Sequence, residues 1–376
     1  MVLPWQIKKS EAGRGAKEDA RNTVMRGKLR LVGRAVLPAV ACFFVFLTAT
    51  ETSEARLFDE ARVAASFLKI GTGARACALG EAFSAIADDS TAVFWNPAGL
   101  GQVKKVEIQL MHNQWLQDFR HEYLGISFPG EGTWAVGYSL VDLGSFDEID
   151  EMGQDVYRTF SVNDQVLAVG YGRAFLADTL FLGASAKAIK EDIGTGASSK
   201  ALSMDLGVLA VPWTSLPGVS VAAVVQNIGG KISGFELPLG VRLGAAWRKA
   251  GVLSGGEESV LAAESRSGWK SFGREDELWQ GLRSFKDSII VSSEVLVPKE
   301  GRVEIHGGLE YWMYSAALRA GYRYRFPRNE LGGLSGLTMG LGLRGSGFQF
   351  DYGFDYAYAP YGDLGDASRF SLLVSF

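Results

Sequence analysis

The residues of this 376-residue chain best suited to catalysis or metal binding are three histidines, His112, His121 and His306, and two cysteines, Cys42 and Cys77. No histidine has a nucleophile or a set of metal ligands at a useful spacing, and the cysteines make no zinc-type pair. Cys42 falls in a segment expected to be removed, which leaves Cys77 without a disulfide partner. Gly71-Thr72-Gly73 lacks the preceding strand and the full glycine spacing of a phosphate loop. No catalytic constellation results, so the chain reads as a non-enzyme that needs neither cofactor nor metal. A net charge of -4 argues against nucleic acid as a partner.

The remaining chemistry is electrostatic. Lys187, Arg242, Arg319 and Arg323, with Asp205, Glu294, Glu304, Glu310 and Asp351, all fall on the polar face of segments whose other face is apolar. Arg248, Arg325, Arg344 and Asp355 join them. The signs nearly balance, unlike the single-sign lining of an ion-selective pore. They suit a salt-bridged interior that holds an internal segment; a path for polar solutes is the alternative. A second cluster, Asp142, Asp147, Glu148, Asp150, Glu151 and Asp155, crowds the 143–163 region. It reads as a solvated loop, with cation bridging to lipopolysaccharide as the alternative.

The elements that must position these charges have a period of two. Leu337, Met339, Leu341 and Leu343 share one face, while Thr338, Gly340, Gly342 and Arg344 share the other. Leu318, Ala320, Tyr322 and Tyr324 oppose Arg319, Gly321, Arg323 and Arg325 in the same way, as successive side chains of a strand must. Such segments recur from residue 106 to the end, each about 9–11 residues long and about 14 in number, as tilted membrane strands require. A soluble sandwich shares the alternation, but not the strand length or the Tyr and Phe near strand ends. Forty-seven glycines suit small inward positions. Connections after even strands are short and those after odd strands longer, except for the polar insertion at 250–286. The fold class expected is an all-β transmembrane antiparallel barrel occupying residues 105–376.

Both ends of the chain carry addresses. Arg26, Lys28, Arg30 and Arg34 precede an apolar core over residues 35–50, and Ser53-Glu54-Ala55 supplies the small residues of a cleavage site. That core is short of a bilayer-spanning helix. Residues 1–55 are thus expected to be an extension and signal peptide, placing the mature protein outside the cytoplasm. At the other end Phe370, Leu372, Val374 and Phe376 alternate with Ser371, Leu373 and Ser375, a pattern suited to the barrel assembly machinery.

Two stretches carry a resemblance. Phe67-Leu68-Lys69-Ile70-Gly71-Thr72-Gly73-Ala74-Arg75, with Ala78-Leu79-Gly80-Glu81-Ala82 and Asn96-Pro97-Ala98-Gly99-Leu100, resembles the N-terminal signature of the PorV/PorQ family. Tyr358-Ala359-Pro360-Tyr361-Gly362-Asp363-Leu364-Gly365, running into Ser368-Arg369-Phe370, is similar to a later family motif. That family is similar in turn to the FadL-type transporters of hydrophobic compounds. The resemblance implies a 14-stranded outer-membrane barrel with an N-terminal hatch, here residues 56–104, in which Asn96, Pro97 and Ala98 match the hatch motif.

A helix over 78–87 is expected in the hatch, with Leu79, Phe83 and Ile86 on one face. The PorV/PorQ resemblance leaves two functions open. A transporter would have an apolar ligand pocket near Leu79, Phe83 and Phe94, taking a hydrophobic small molecule across the outer-membrane lipid. A docking barrel would have a filled lumen and an apolar rim for a secreted-protein partner.

Overall fold

The computed structural model describes residues 63–114, 119–149, 155–176, 178–192, 194, 198–211, 217–250, 287–326, 336–347, 349–361 and 365–376. The expected signal peptide, the Ser53-Glu54-Ala55 cleavage site and insertion residues 251–286 lie outside them.

Fourteen strands close into one antiparallel barrel. In chain order they are β1 (Glu107–Gln114), β2 (Arg120–Pro129), β3 (Thr133–Ile149), β4 (Asp155–Phe175), β5 (Leu180–Asp192), β6 (Ser198–Ala210) and β7 (Val219–Gly229). After a small hairpin, β8 (Lys231–Ile232) and β9 (Phe235–Glu236), the barrel resumes. Its remaining strands are β10 (Gly240–Ala250), β11 (Asp287–Pro298), β12 (Glu304–Met313), β13 (Ala316–Arg325), β14 (Leu337–Ser346), β15 (Asp351–Pro360) and β16 (Asp366–Ser375). β16 closes on β1, from Glu107↔Ser375 to Gln114↔Ser368. Closure leaves no unpaired edge, which is what lets strands cross an apolar medium.

The alternation fixes which face is which. Leu318, Leu341, Leu343, Phe354, Phe370 and Leu372 point outward and are exposed, while Arg319, Thr338, Asp355, Arg369 and Ser371 point inward and are buried. Val374 and Phe376 continue the outward series on the other side of Ser375, with Phe376 exposed and its N–H donating to Val106 O. The outward face is largely apolar, interrupted by the exposed His112–Glu122 pair on β1 and β2, and most of the polar side chains are gathered inside. A transmembrane barrel has this arrangement.

Two expectations need correction. The 143–163 region is largely strand: β3 and β4 continue pairing beyond their neighbours, through Ser145↔Ser161 and Phe146↔Phe160 to Ile149↔Asp155. β2 pairs with β3 only as far as Asp142 and β5 with β4 only as far as Asn163, so among the described residues the two strands pair beyond these points with each other, with Gly194 against Phe160 and Ser161. Aromatic and β-branched residues among the acids favour the extended chain, and shifts after Asp142 and Asp147 absorb its irregularity as bulges. Secondly, no helix spans 78–87; the longer connection at 229–238 stands, and it holds the β8–β9 hairpin. The hatch holds only short helices, Ala74–Ala78 and Ala92–Trp95, and 3-10 turns at Ser66–Lys69 and Pro97–Gln102. Gly80 and Glu81 have φ of 62° and 66°, left-handed values that end the first helix.

Candidate functional site: the hatch and its seats

Residues 63–104 precede β1 and pack against the inward wall. Their apolar side chains form one core with inward residues of the strands: Leu79, Phe83, Ile86, Val93, Trp95 and Leu100 with Ala135, Ala168, Phe181, Leu209 and Ala246. A second, smaller cluster joins Ala65 and Phe67 to Val141, Val166, Ile189, Ile232 and Leu237. The N-terminal stretch therefore sits at the end of the barrel where β3 meets β4 and β7 leads to β8, which we term the loop end.

Asn96, Pro97 and Ala98 are wholly buried. Asn96 caps the 3-10 turn by accepting from Ala98 N at 3.1 Å, with Pro97 in the first turn, where its missing donor costs nothing. The Asn96 amide donates to Ser84 O at 2.9 Å, tying two hatch segments together. A Cβ at Gly183 would fall on the Pro97 backbone, and one at Gly207 on Asn96 Oδ1. Glycine on β5 and β6 thus makes the seat into which this motif fits. A second seat lies opposite, where a Cβ at Gly321 would strike Gly80 N.

The predicted interior charges all face inward, and several meet the hatch. Arg75 makes a two-pronged contact with Glu310, Nε to Oε2 at 2.8 Å and Nη2 to Oε1 at 3.0 Å. Glu310 also accepts from Arg319 Nε at 2.6 Å, and Arg319 reaches Asp355 at 2.8 Å, where Arg344 joins. Asp88 pairs with the free edge of Arg75. Elsewhere Arg323 pairs with Glu81 at 2.8 Å. Glu294 pairs with Arg242 and accepts from Ser84 N at 2.9 Å. Arg242 Nε donates to Gln226, whose amide donates to Phe94 O and Trp95 O. Lys187 pairs with Asp205 at 2.6 Å and donates to Asn227. Glu304 and Asp351 stand apart from the hatch core, on His306 with Arg325 and on Lys105 respectively.

Such contacts exchange hydration for fixed partners, so each is strong only while both partners stay in place. Within the hatch, burial alone would raise the Glu81 carboxyl, but Arg323 beside it holds it below its ordinary range. Burial raises Asp89, with Asp88 adding to the effect. Burial pushes the Cys77 thiol up to about 11, so it is no ready nucleophile. Burial would also raise the Tyr361 phenol, yet Arg323 and Arg369 bring it below its ordinary value.

Leu79 and Phe83 are fully buried in the hatch core; Phe83 packs edge-on against Trp95 at 6.0 Å, with the Arg75 guanidinium 5.5 Å from its ring. Phe94 instead borders a cleft at the loop end, which Leu79 and Phe83 do not reach. Phe67, Leu68, Ile70, Trp95 and Val166 supply its apolar wall, and Lys187, Gln226, Asn227 and Arg242 its polar side. The free volume is about 30 Å³, close to the share of a single liquid water. Arg75, Glu81 and Gln226 are the organising residues that the sequence reading did not single out for these roles. Arg75 lay within a quoted motif, but nothing local marks a partner 235 positions away.

A family model described as an uncharacterised protein family (UPF0164) matches residues 44–200, less than half of the chain. No curated protein matches. Among solved structures, the toluene transporter TbuX of Ralstonia pickettii is 11% identical with a TM-score of 0.48, over 81% of this chain and 97% of that one. The toluene transporter TodX of P. putida gives 10%, 0.48, 81% and 97%. A FadL homologue of Pseudomonas aeruginosa gives 12%, 0.41, 81% and 98%. With likeness this low, the architecture of the chain rests on its own ladder: a closed 14-strand antiparallel barrel with its N-terminal segment packed inside.

Proposed function

We propose that this chain is an outer-membrane barrel that passes hydrophobic small molecules when its hatch rearranges. The observation that carries this reading is the cleft beside Phe94. It opens at the loop end between the apolar side chains of Phe67, Leu68 and Ile70 and the polar ones of Lys187, Gln226, Asn227 and Arg242, so that a hydrophobic solute would enter against the first group. The similarity of Asn96-Pro97-Ala98 to the hatch motif of FadL-type transporters supports it. With room for about one water, the cleft holds no such solute until the 66–72 segment moves.

The test is a reversible tether. Val63 forms a parallel bridge with Glu236, and Ala64 N donates to Glu236 O at 3.0 Å, so V63C with E236C brings two thiols within reach of a disulfide. Uptake of a radiolabelled aromatic hydrocarbon by cells bearing the oxidised variant is expected to fall about tenfold or more, a barrier change of at least about 1.4 kcal/mol, and to recover on reduction. Unchanged uptake in the oxidised state, with the crosslink verified, would contradict gating by this segment.

The β3–β4 ribbon, which extends past the pairing of β2 and β5, favours a second reading. It carries Phe146, 44% exposed, against Phe160 at 5.8 Å among acidic residues, a surface suited to a secreted-protein partner of the kind the PorV/PorQ resemblance implies. Loss of partner binding on trimming this ribbon, with hydrocarbon uptake unaffected by the tether, would favour docking over transport.

A further inference from the structure

Three inward side chains on adjacent strands stand in one row. Asn113 of β1 is directly opposite Arg369 of β16 on one side and His121 of β2 on the other. Directly opposed residues place their Cβ atoms about 5 Å apart, so the three side chains leave the wall as neighbours. All three are buried, at 0%, 2% and 1% exposure. Yet both amide atoms of Asn113, Nδ1 of His121 and Nε of Arg369 have no hydrogen-bond partner. Buried polar atoms are seldom left in this state, and here four of them fall on three cross-strand neighbours.

The charge balance narrows what binds. Among the described residues, no carboxylate lies within ion-pair distance of Arg369. It donates to the Tyr361 phenol, which Arg323 also reaches at 2.9 Å, and Arg323 is already matched by Glu81. The Cys77 thiol is the other hatch group beside it. A water would satisfy hydrogen bonds here but not a buried positive charge, which is costly without a counter-charge. Ser139 Oγ lies 2.7 Å from His121 Nε2; when that hydroxyl donates, Nδ1 carries the ring proton and becomes a donor. Arg369 Nε–H, Asn113 Nδ2–H and His121 Nδ1–H are then three donors available to one acceptor.

One inward position along β1 and β16 from this row, Met111 and Ser371 accept the N–H groups of Gly73 and Ala74 at 3.0 and 2.9 Å. The row thus lies beside the place where the hatch is fastened to the wall. The depth of burial leaves no approach for an organic acid.

We propose that Arg369, Asn113 and His121 bind a small monovalent anion of the size of chloride, as the counter-ion that completes the hatch–wall junction. The experiment uses the full barrel purified in detergent, unfolded thermally in sodium chloride and in sodium gluconate at matched ionic strength. It is paired with anomalous diffraction from crystals grown in bromide. Chloride is expected to raise the midpoint by several degrees over gluconate, and one bromide is expected in contact with Arg369 Nε and Asn113 Nδ2. R369Q and N113L are each expected to abolish the salt difference. If R369Q does not fold, N113L alone decides. Equal midpoints in both salts, a water rather than bromide at the row, or a chloride effect that persists in N113L would each overturn the assignment.

Discussion

Arg75 of the hatch and Glu310 of β12 face one another as a two-pronged pair, with contacts at 2.8 and 3.0 Å, in the middle of the barrel. The pair joins positions far apart in sequence and ties the hatch to the wall through a buried ionic contact. Removing one partner takes a counter-charge from the other but leaves it one more, Arg319 for Glu310 and Asp88 for Arg75, so the loss falls below the about 3–5 kcal/mol of a fully stranded buried charge. Arg75→Met and Glu310→Met should each lower unfolding stability in detergent by about 1–3 kcal/mol. The double variant should lose clearly less than the sum, because the contact is lost only once. Strictly additive losses would show that the two side chains are not coupled.

The glycine seats give a steric prediction. Gly183→Ala puts a methyl group onto the Pro97 backbone, an overpacking worth about 1–3 kcal/mol. Limited proteolysis should show faster cleavage within residues 63–104, while the barrel band on gels persists. Gly230→Ala, where no atom lies within 4 Å, is the matched control and should behave as wild type.

Facing can be tested by the cost of charge. Leu341 and Leu318 are exposed on the apolar band, at 54% and 60%. Leu341→Arg or Leu318→Arg should cost about 2–4 kcal/mol in folding from urea into lipid vesicles, if the position lies near the midplane. Ser185 points inward with an unpartnered hydroxyl, so Ser185→Ala should be nearly neutral. Equal cost at outward and inward sites would contradict the barrel's orientation.

The strands were legible because each faces two different surroundings, and the alternation of Leu337 through Arg344 records both. Residues 143–163 were misread because their acids outweigh Phe146 and Phe160 in a local reading, whereas pairing between β3 and β4 continues through the cross-strand ladder. The hatch was legible as a segment but not in its shape. Gly80 and Glu81 take left-handed conformations where the wall glycine Gly321 and Arg323 receive them, and neither contact is encoded nearby. The Asn96-Pro97-Ala98 motif was visible as a turn, but its glycine seats on β5 and β6 become apparent only in three dimensions.

The ion pairs imply a pH response of definite sign. Although burial raises Glu81, Arg323 lowers it further, so its folded-state value is depressed. A depressed carboxylate contributes stability that is present above the unfolded value, about 4.3, and is lost as pH falls through the folded one. Asp89 is raised by burial and acts in the opposite sense, so the informative quantity is a difference between proteins. Protection of the hatch amides, taken relative to their intrinsic exchange rates at each pH, should fall between about pH 5 and pH 3 more steeply in wild type than in Glu81→Gln. Parallel profiles would show that the Glu81–Arg323 pair does not hold the hatch.

The central claim is that the hatch closes the lumen and that passage requires it to move. Conductance in planar lipid bilayers measures this without reference to any solute. The full barrel, inserted and verified as folded, should carry no steady ionic current. The Arg75→Met, Gly183→Ala double variant should open intermittently as the hatch loosens from both fastenings. A steady, ohmic conductance from the unmodified barrel would mean that an open aqueous path runs past residues 63–104, and would contradict the account.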